Sequence, residues 1–292
     1  MSEYAHSVMI LLSEKAQFIL CFFAVVTVLA WFKAGRDALD WNDSLRHSGA
    51  VNLAIVAFNM AALVIPLAAT AFLLNLLKDL PHVPAQVWQD APWLVRALMA
   101  LLIFDLANYA MHRLSHFNAW LWPMHAVHHS DTELHFLSAN RAHILEWVLL
   151  VPTGAIAAYF CGLSINDVVF LGLLREAHQY YVHSNLDWSH GPLRYIIAGP
   201  RFHRWHHVDR DDAYNKNFAL FFPFIDLAFG TYYMPGPAKT LATGFVGSPG
   251  NNALKLLVFP FREWVRLVRE LGAGRVGRIP PREQPGSALR PD

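Results

Sequence analysis

Nine histidines set at helical spacing constrain this chain more than any other feature. They fall in four short boxes: His112 with His116; His125, His128 and His129; His183 alone; and His203, His206 and His207. On an α-helix, positions i, i+3 and i+4 share one face, so each HxxHH box turns three imidazoles the same way and HxxxH turns two. Neutral imidazole is the commonest protein metal ligand. Such faces brought together make a nitrogen-rich metal cage. Of the 16 histidines in 292 residues, thirteen lie from His112 to His207, where an even spread would leave about five. A solvated or pH-sensing cluster is the plainer alternative, but four boxes in one short region are hard to reach by chance. A zinc ion needs about three or four protein ligands, so nine histidines suit two ions with roughly four or five each. Zinc, copper, iron and nickel all accept imidazole, so spacing does not choose among them.

The cage belongs to a chain built for a bilayer. It is 55% hydrophobic and only 15% charged, where soluble domains carry about 25% charged residues. A net charge of +1 gives no reason to expect nucleic-acid binding. Cys21 and Cys161 sit in apolar segments and no CxxC occurs, which argues against thiolate zinc sites, iron–sulfur clusters and disulfide scaffolds. Apolar runs cover Ala16–Phe32, about Ala50–Leu77 with Pro66 as a kink, about Trp93–Met111, and about Ile144–Phe160 followed after Gly162 by Val168–Leu174. The last two read as a helical hairpin. A polar start (Ser2, Glu3) and the lack of a small-residue site before Trp31 argue against a cleaved leader. Phe218–Tyr233, broken by Pro223 and Asp226, reads as re-entrant or interfacial. Phe261–Leu271 reads as an amphipathic helix on the membrane surface, and residues from about Gly272 as a disordered tail.

Loop charge sets the expected orientation. Residues 33–49 carry Lys33, Arg36 and Arg46, while residues 78–92 carry only Lys78. The positive-inside rule then places the first loop, and all four boxes, in the cytoplasm. Arg113, Arg141, Arg175, Arg194, Arg201, Arg204 and Arg210 agree. Trp120, Trp122, Trp188 and Trp205 fit an interfacial belt or buried packing equally well. The expected fold is therefore an all-α, polytopic integral membrane helical bundle with a cytoplasmic histidine-rich metal-binding cap. Its parts are N-terminal transmembrane helices (1–92), a catalytic domain (93–240), and an amphipathic helix with a disordered tail (241–292).

Asp105, Tyr109, His112 and His116 form one helical stripe, at spacings of four, three and four. A carboxylate inside an apolar span is costly and usually functional. Asp105 is read as hydrogen-bonding a ligand imidazole, which fixes its tautomer and raises its basicity. A polar contact with a neighbouring helix is the alternative.

Together these residues resemble the fatty acid hydroxylase / sterol desaturase superfamily. The likeness runs from about Leu101 to Tyr233. It rests on Asp105-x3-Tyr109-x2-His112-x3-His116, then His125-x2-His128-His129-Ser130, then Asn140-Arg-Ala-His143-x2-Glu146. Gln179-x3-His183-Ser184-Asn185 and His203-x2-His206-His207 follow, and then Lys216-Asn217-Phe218 with Asp226-x2-Phe229-Gly230-Thr231. The resemblance implies a membrane non-haem di-iron oxygenase in which the nine histidines hold two iron ions, with zinc as a substitute and O2 as co-substrate. Asp105, Tyr109 and Glu146 would surround the ligands. A fatty acyl, sterol, alkylglycerol or carotenoid lipid would be hydroxylated or desaturated. No GxGxxG, haem-attachment motif or iron–sulfur cysteine set occurs, so electrons are expected from a separate ferredoxin, cytochrome b5 or reductase.

The sequence departs from the family in the third box, where many relatives carry two histidines four residues apart. Gln179 occupies the partner position, as in the alkylglycerol monooxygenase-like branch, and His178 is one place off. His183 is therefore taken as a ligand, while His178 is a marginal candidate. His135 stands where a polar residue such as Asn is expected, and His143 is read as lying near the ligands or in the substrate pocket. His6, His47, His82 and His190 are bystanders.

Three other classes compete. A metal transporter expects ligands near the bilayer midplane on broken helices. A zinc hydrolase needs a carboxylate base, for which only Glu133 and Glu146 offer themselves without an HExxH. A haem cytochrome would use one or two histidines and leave the other boxes unexplained. On the charge reading, a reporter fused after His207 is cytoplasmic and one inserted near Pro84 is external; the opposite pattern overturns the orientation.

Overall fold

In the computed structural model, residues 41–88, 90–163 and 165–274 are described. The apolar run Ala16–Phe32, Cys21 and the residues after Gly274 lie outside them. Among the described residues the structure is helical, apart from one isolated bridge between Val208 and Thr243. The helices are α1 (Trp41–Ala61), α2 (Val64–Leu77), α3 (Trp93–Phe117), α4 (Trp122–His129), α5 (Ile144–Phe160), α6 (Ile165–Val182), α7 (Pro200–His207), α8 (Pro223–Ala228) and α9 (Ala253–Gly272).

Among the described residues, α3 alone is by itself long and apolar enough to cross a membrane; α1 from Arg46 passes the same test jointly with α2, across a 47° bend. The bend has a local cause. Pro66 lacks the N–H that would bond to Ala62, so the chain breaks before it and restarts with Pro66 in the first turn of α2, where a missing donor costs nothing. The expected kink thus falls just before the proline.

These helices are inverted relative to those of a soluble domain. Leu53, Phe58, Leu67, Phe72 and Leu76 face outward on α1 and α2, as do Trp93, Leu94 and Leu98 on α3. Asp105 and Tyr109 on α3, and Ser48, Asn52 and Asn59 on α1, are buried. Such an outer apolar face matches a hydrocarbon solvent.

Helix α5 packs on α2 and α3. Its Gly154 lets α3 approach closely, since a Cβ there would stand 2.4 Å from the Phe104 ring. Gly162, at φ +70°, makes the left-handed turn out of α5. The expected hairpin does not close beyond this turn. Helix α6 leaves α5 to pack on α3, α7 and the 3-10 turn Phe136–Asn140. Between α5 and α6 lies a cavity, lined by Trp147 and Leu150 from one and Arg175 and Gln179 from the other, that reaches the imidazoles.

Helix α9 is longer than the amphipathic segment read from sequence. It buries Leu256, Phe259 and Leu267 against α1 and α4, and exposes Leu254, Val258, Phe261, Val265 and Val268. Trp122 and Trp205 are core residues, whereas Trp120 is exposed. The segment read as re-entrant, Phe218–Tyr233, starts in the interior: Phe218, Ala219, Leu220 and Phe221 are buried.

A buried polar network ties α1 to the second histidine box. Arg141, 1% exposed, donates to Ser130 Oγ (2.8 Å), Asn52 Oδ1 (3.2 Å), Asn251 Oδ1 (3.0 Å) and the Gly250 carbonyl (3.1 Å). Asp131 accepts from Asn52 (3.0 Å), Ser138 (2.7 Å) and Ser48 (3.2 Å), and lies 3.9 Å from Arg141. The Arg141 guanidinium and the hydrogen bonds from Ser138 and Asn52 hold the Asp131 carboxyl below its ordinary range against the opposing effect of burial. Breaking one partner of such a buried charge pair costs about 3–5 kcal/mol. Arg141→Ala is therefore expected to lower the denaturation midpoint of the purified protein sharply, while Arg210→Ala, in an exposed pair with Asp212, leaves it nearly unchanged. Equal effects from the two variants would contradict this account.

Candidate metal centre

Three short helical segments carry most of the site. Helix α3 ends with His112 and His116 one turn apart. Helices α4 and α7 each begin at a proline position and end on the double histidine of an HxxHH box. Proline at the start fixes where each helix begins, and eight residues then bring the imidazoles to its C-terminal end, where the helix dipole favours positive charge.

The nine imidazoles converge in two groups. His112, His116, His125, His129 and His206 form one; His128, His183, His203 and His207 form the other. Within each group the facing nitrogens all lie within 4.8 Å of one another. The i and i+4 members of each HxxHH box stay together, and the i+3 member crosses to the other group. Helix α4 gives His125 and His129 to the first group and His128 to the second. Helix α7 does the reverse, with His203 and His207 in the second and His206 in the first. The side chains other than His112 are buried.

Outer hydrogen bonds fix how these rings point. His112 Nδ1 donates to the Phe218 carbonyl (2.8 Å), His206 Nδ1 to Lys216 (2.8 Å), His183 Nδ1 to Gln179 (2.7 Å) and His125 Nδ1 to Glu146 Oε1 (2.6 Å). A neutral imidazole with its proton on Nδ1 presents a bare lone pair at Nε2. Yet His112 Nε2 and His125 Nε2 stand 3.1 Å apart, with no proton left to share. His183 Nε2 lies 3.1 Å from that of His128 and 3.0 Å from that of His203. Facing lone pairs repel unless a cation lies between them. Two nitrogens each about 2.1 Å from one ion at a right angle stand roughly 3.0 Å apart, so the donor set fits a metal ion in each group. Burial, reinforced by the neighbouring imidazoles, holds His128, His129, His203 and His207 well below the ordinary histidine range, and burial, with smaller help from His135 and Arg175 and against the Gln179 hydrogen bond, brings His183 down to about 4. All are neutral near pH 7, as ligation requires.

The carboxylate that meets a box imidazole is Glu146. Asp105 does not do so. It lies seven residues before His112, about 10 Å along the helix axis, and cannot reach a ligand ring. Its carboxylate instead accepts backbone N–H groups from Leu220 (2.8 Å), Phe221 (3.0 Å) and Phe222 (2.7 Å). Asp226 takes the two preceding ones, Phe218 (2.8 Å) and Ala219 (2.8 Å), and accepts from Thr231 Oγ1 (2.6 Å). Tyr109 also misses the imidazoles: its hydroxyl meets Thr231 Oγ1 (3.0 Å) and its ring stacks on Phe229. Asp105, Tyr109 and Asp226 thus aim the backbone whose carbonyls orient His112 and His206. Sequence reasoning gave Asp226 no role, although an acid in an apolar segment is the same signal that singled out Asp105.

The three marginal histidines hold backbone. His135 caps the 3-10 turn, accepting from Leu137 N (3.3 Å) at Nδ1 while its Nε2 meets Ser48 Oγ (2.8 Å). His143 caps α5 and reaches the Leu257 carbonyl on α9 (3.0 Å). His178 donates to the Leu220 carbonyl (2.9 Å) and stacks on Phe221.

A family model of fatty acid hydroxylases matches residues 97–231. That segment belongs to the fatty acid hydroxylase family. The chain is 29% identical to an ornithine lipid hydroxylase of Rhizobium tropici over 175 residues, 60% of this chain and 53% of that one. It is 30% identical to human alkylglycerol monooxygenase, over 49% of this chain and 31% of the relative. Methylsterol monooxygenase 1 of Gallus gallus is 26% identical over 76% of this chain and 74% of its own. The chain thus spans about half of the Rhizobium protein and under a third of the human one. No solved structure matches it. The family segment covers all four boxes and the Phe218–Phe222 loop.

Three predictions follow from this geometry. Purified protein is expected to hold about two metal ions per chain, fewer in His128→Ala and His206→Ala but not in His178→Ala. Because the free histidines protonate near 6.5 and His183 only near 4, folding and ligation both lose ground as pH falls between these values and gain nothing above them. Metal retained unchanged at pH 4.5 would contradict it. Asp105→Asn replaces an acceptor of three N–H groups by one with a single oxygen and two competing donors; it should lower the unfolding midpoint by more than His178→Ala does.

Proposed function

We propose that this protein is a multi-pass membrane di-iron oxygenase that hydroxylates or desaturates a lipid using O2 and electrons from a separate donor. The observation that carries the reading is the pair of all-imidazole groups whose Nε2 atoms face one another at 3.0–3.1 Å. All nine box histidines are proposed as ligands, five to one ion and four to the other. Bound iron would supply O2 reduction and hydrogen removal from a C–H bond. The remaining work falls to the chain. Phe218, Lys216 and Gln179 carbonyls and the Glu146 carboxylate hold the rings in one tautomer. Trp147, Leu150 and Leu220 enclose the approach and keep it dry, and the α5–α6 gap gives a lipid its entry from the bilayer.

The names of the relatives support a lipid substrate, since those proteins are described as acting on an ornithine lipid, alkylglycerols and methylsterols. The cytoplasmic placement of the boxes rests on loop charge, and the domain division at about 92 and 240 on composition. A zinc hydrolase is disfavoured because Glu146 is engaged by His125 and Glu133 is exposed away from the cavity. A transporter is disfavoured because the ligands sit on short helices and at the end of α3, not on broken spans.

Lipid mass spectrometry of cells with and without the gene, grown under labelled O2, tests the reading. A lipid carrying the label or a new double bond only with the gene supports it. If a broad lipid panel with a competent electron donor yields neither, while zinc or iron crosses vesicles containing the protein, the oxygenase reading is wrong.

A further inference from the structure

The cavity over the imidazoles is not a plain hydrocarbon slot. His112, His125, His128, His183 and His203 form one wall; Asn108, Glu146, Arg175, Glu176 and Gln179 bring polar groups to the others. Arg175, Gln179 and His183 follow one another at i, i+4 and i+8, one face of α6 running on into its end. Gln179 and His183 are engaged: the Gln179 carbonyl accepts from His183, and its side chain donates to Ala139 O (3.1 Å). Arg175 is not. Among the described residues its guanidinium has neither a hydrogen bond nor an ion pair, and it stands 5.9 Å from the centre of the Phe104 ring. Glu146 and Glu176 add negative charge nearby without reaching it. Glu146 Oε1 is taken by His125 (2.6 Å), and its Oε2 is buried with no hydrogen-bond partner.

A guanidinium with five donors on the wall of a cavity and no acceptor among the described residues calls for one, and planar anionic oxygen groups suit it best. We propose that Arg175 anchors the headgroup of the substrate by binding its carboxylate or phosphate, and so sets which carbon lies beneath the two imidazole groups. The inference rests on the lipid-oxygenase reading and names the substrate class within it: an amphiphile with an anionic group in its headgroup. The spare oxygen of Glu146 suits a hydroxyl or ammonium donor on the same headgroup, which also offsets the two carboxylates beside the anion. The eight residues from Arg175 to His183 rise about 12 Å, a fixed spacing between anchor and imidazoles.

The test uses the full-length, iron-loaded protein in mixed micelles and measures retention of four probes by native mass spectrometry. Oleate and dioleoyl phosphatidic acid are the carboxylate and phosphate arms; methyl oleate and dioleoylglycerol are their uncharged counterparts. Wild type is expected to prefer one anionic probe over its uncharged partner by roughly tenfold or more, the scale of a charge-assisted hydrogen-bond pair. Arg175→Gln should abolish that preference and Arg175→Lys retain part of it, with iron content unchanged in both. The arm that shows the preference identifies the source of the anion. No preference in wild type, or the same preference in Arg175→Gln, overturns the anchor. So does a loss of stability in Arg175→Gln with the preference intact, which would make Arg175 only a partner of Phe104. Failure of the oxygenase reading looks different: Arg175-dependent retention would persist while no lipid gained oxygen or a double bond.

Discussion

Five consecutive backbone N–H groups, from Phe218 to Phe222, end on two buried carboxylates, and the aim of the metal centre depends on them. Asp226 takes the first two and Asp105 the next three. With every donor in this stretch turned one way, its carbonyls are free to turn the other. Phe218 O receives His112, Leu220 O receives His178 and Phe221 O receives the Ala198 amide, two residues before α7 begins. The loop thereby fixes the last turn of α3 against the fourth histidine box. Burying two carboxylates is expensive unless their oxygens are filled. Here backbone donors fill them, and the same bonds remove the unsatisfied N–H groups that an irregular segment would otherwise bury.

That arrangement explains why so many histidines can point at one another. His112, His125 and His183 hold their protons on the outer nitrogens and set their Nε2 atoms about 3 Å from those of neighbouring rings, a crowding that cations relieve. The scaffold absorbs the repulsion through carbonyls of Lys216, Phe218 and Gln179 and through Glu146. The same centre is lined from α3, α5 and α6, while the outer apolar faces of α1, α2 and α3 suit a bilayer. The helices with apolar outer faces thus carry the polar groups of the site inside.

The sequence by itself determined the helical class, the four boxes, and the pairing of His112 with His116, His125 with His129 and His203 with His207, because one helical turn relates each pair. It also located α5 at Ile144–Phe160 and the turn at Gly162, since length, apolarity and a glycine able to adopt positive φ are local properties. Only the tertiary structure decided that His128 and His206 cross to opposite groups, because spacing puts all three members of a box on one face without saying what stands opposite. It alone decided that Glu146, not Asp105, meets an imidazole. Helix rise separates Asp105 from every ligand in its own helix, and the partner it does find lies 115 residues away in sequence. Likewise the roles of His178, a marginal ligand candidate, of His143, read as near the ligands or the substrate pocket, and of His135 were settled only by their long-range partners, a backbone carbonyl of the 218–222 loop, one of α9 and a serine of α1. A histidine's chemistry is written in its ring, but which nitrogen keeps the proton is decided by what the folded chain sets beside it.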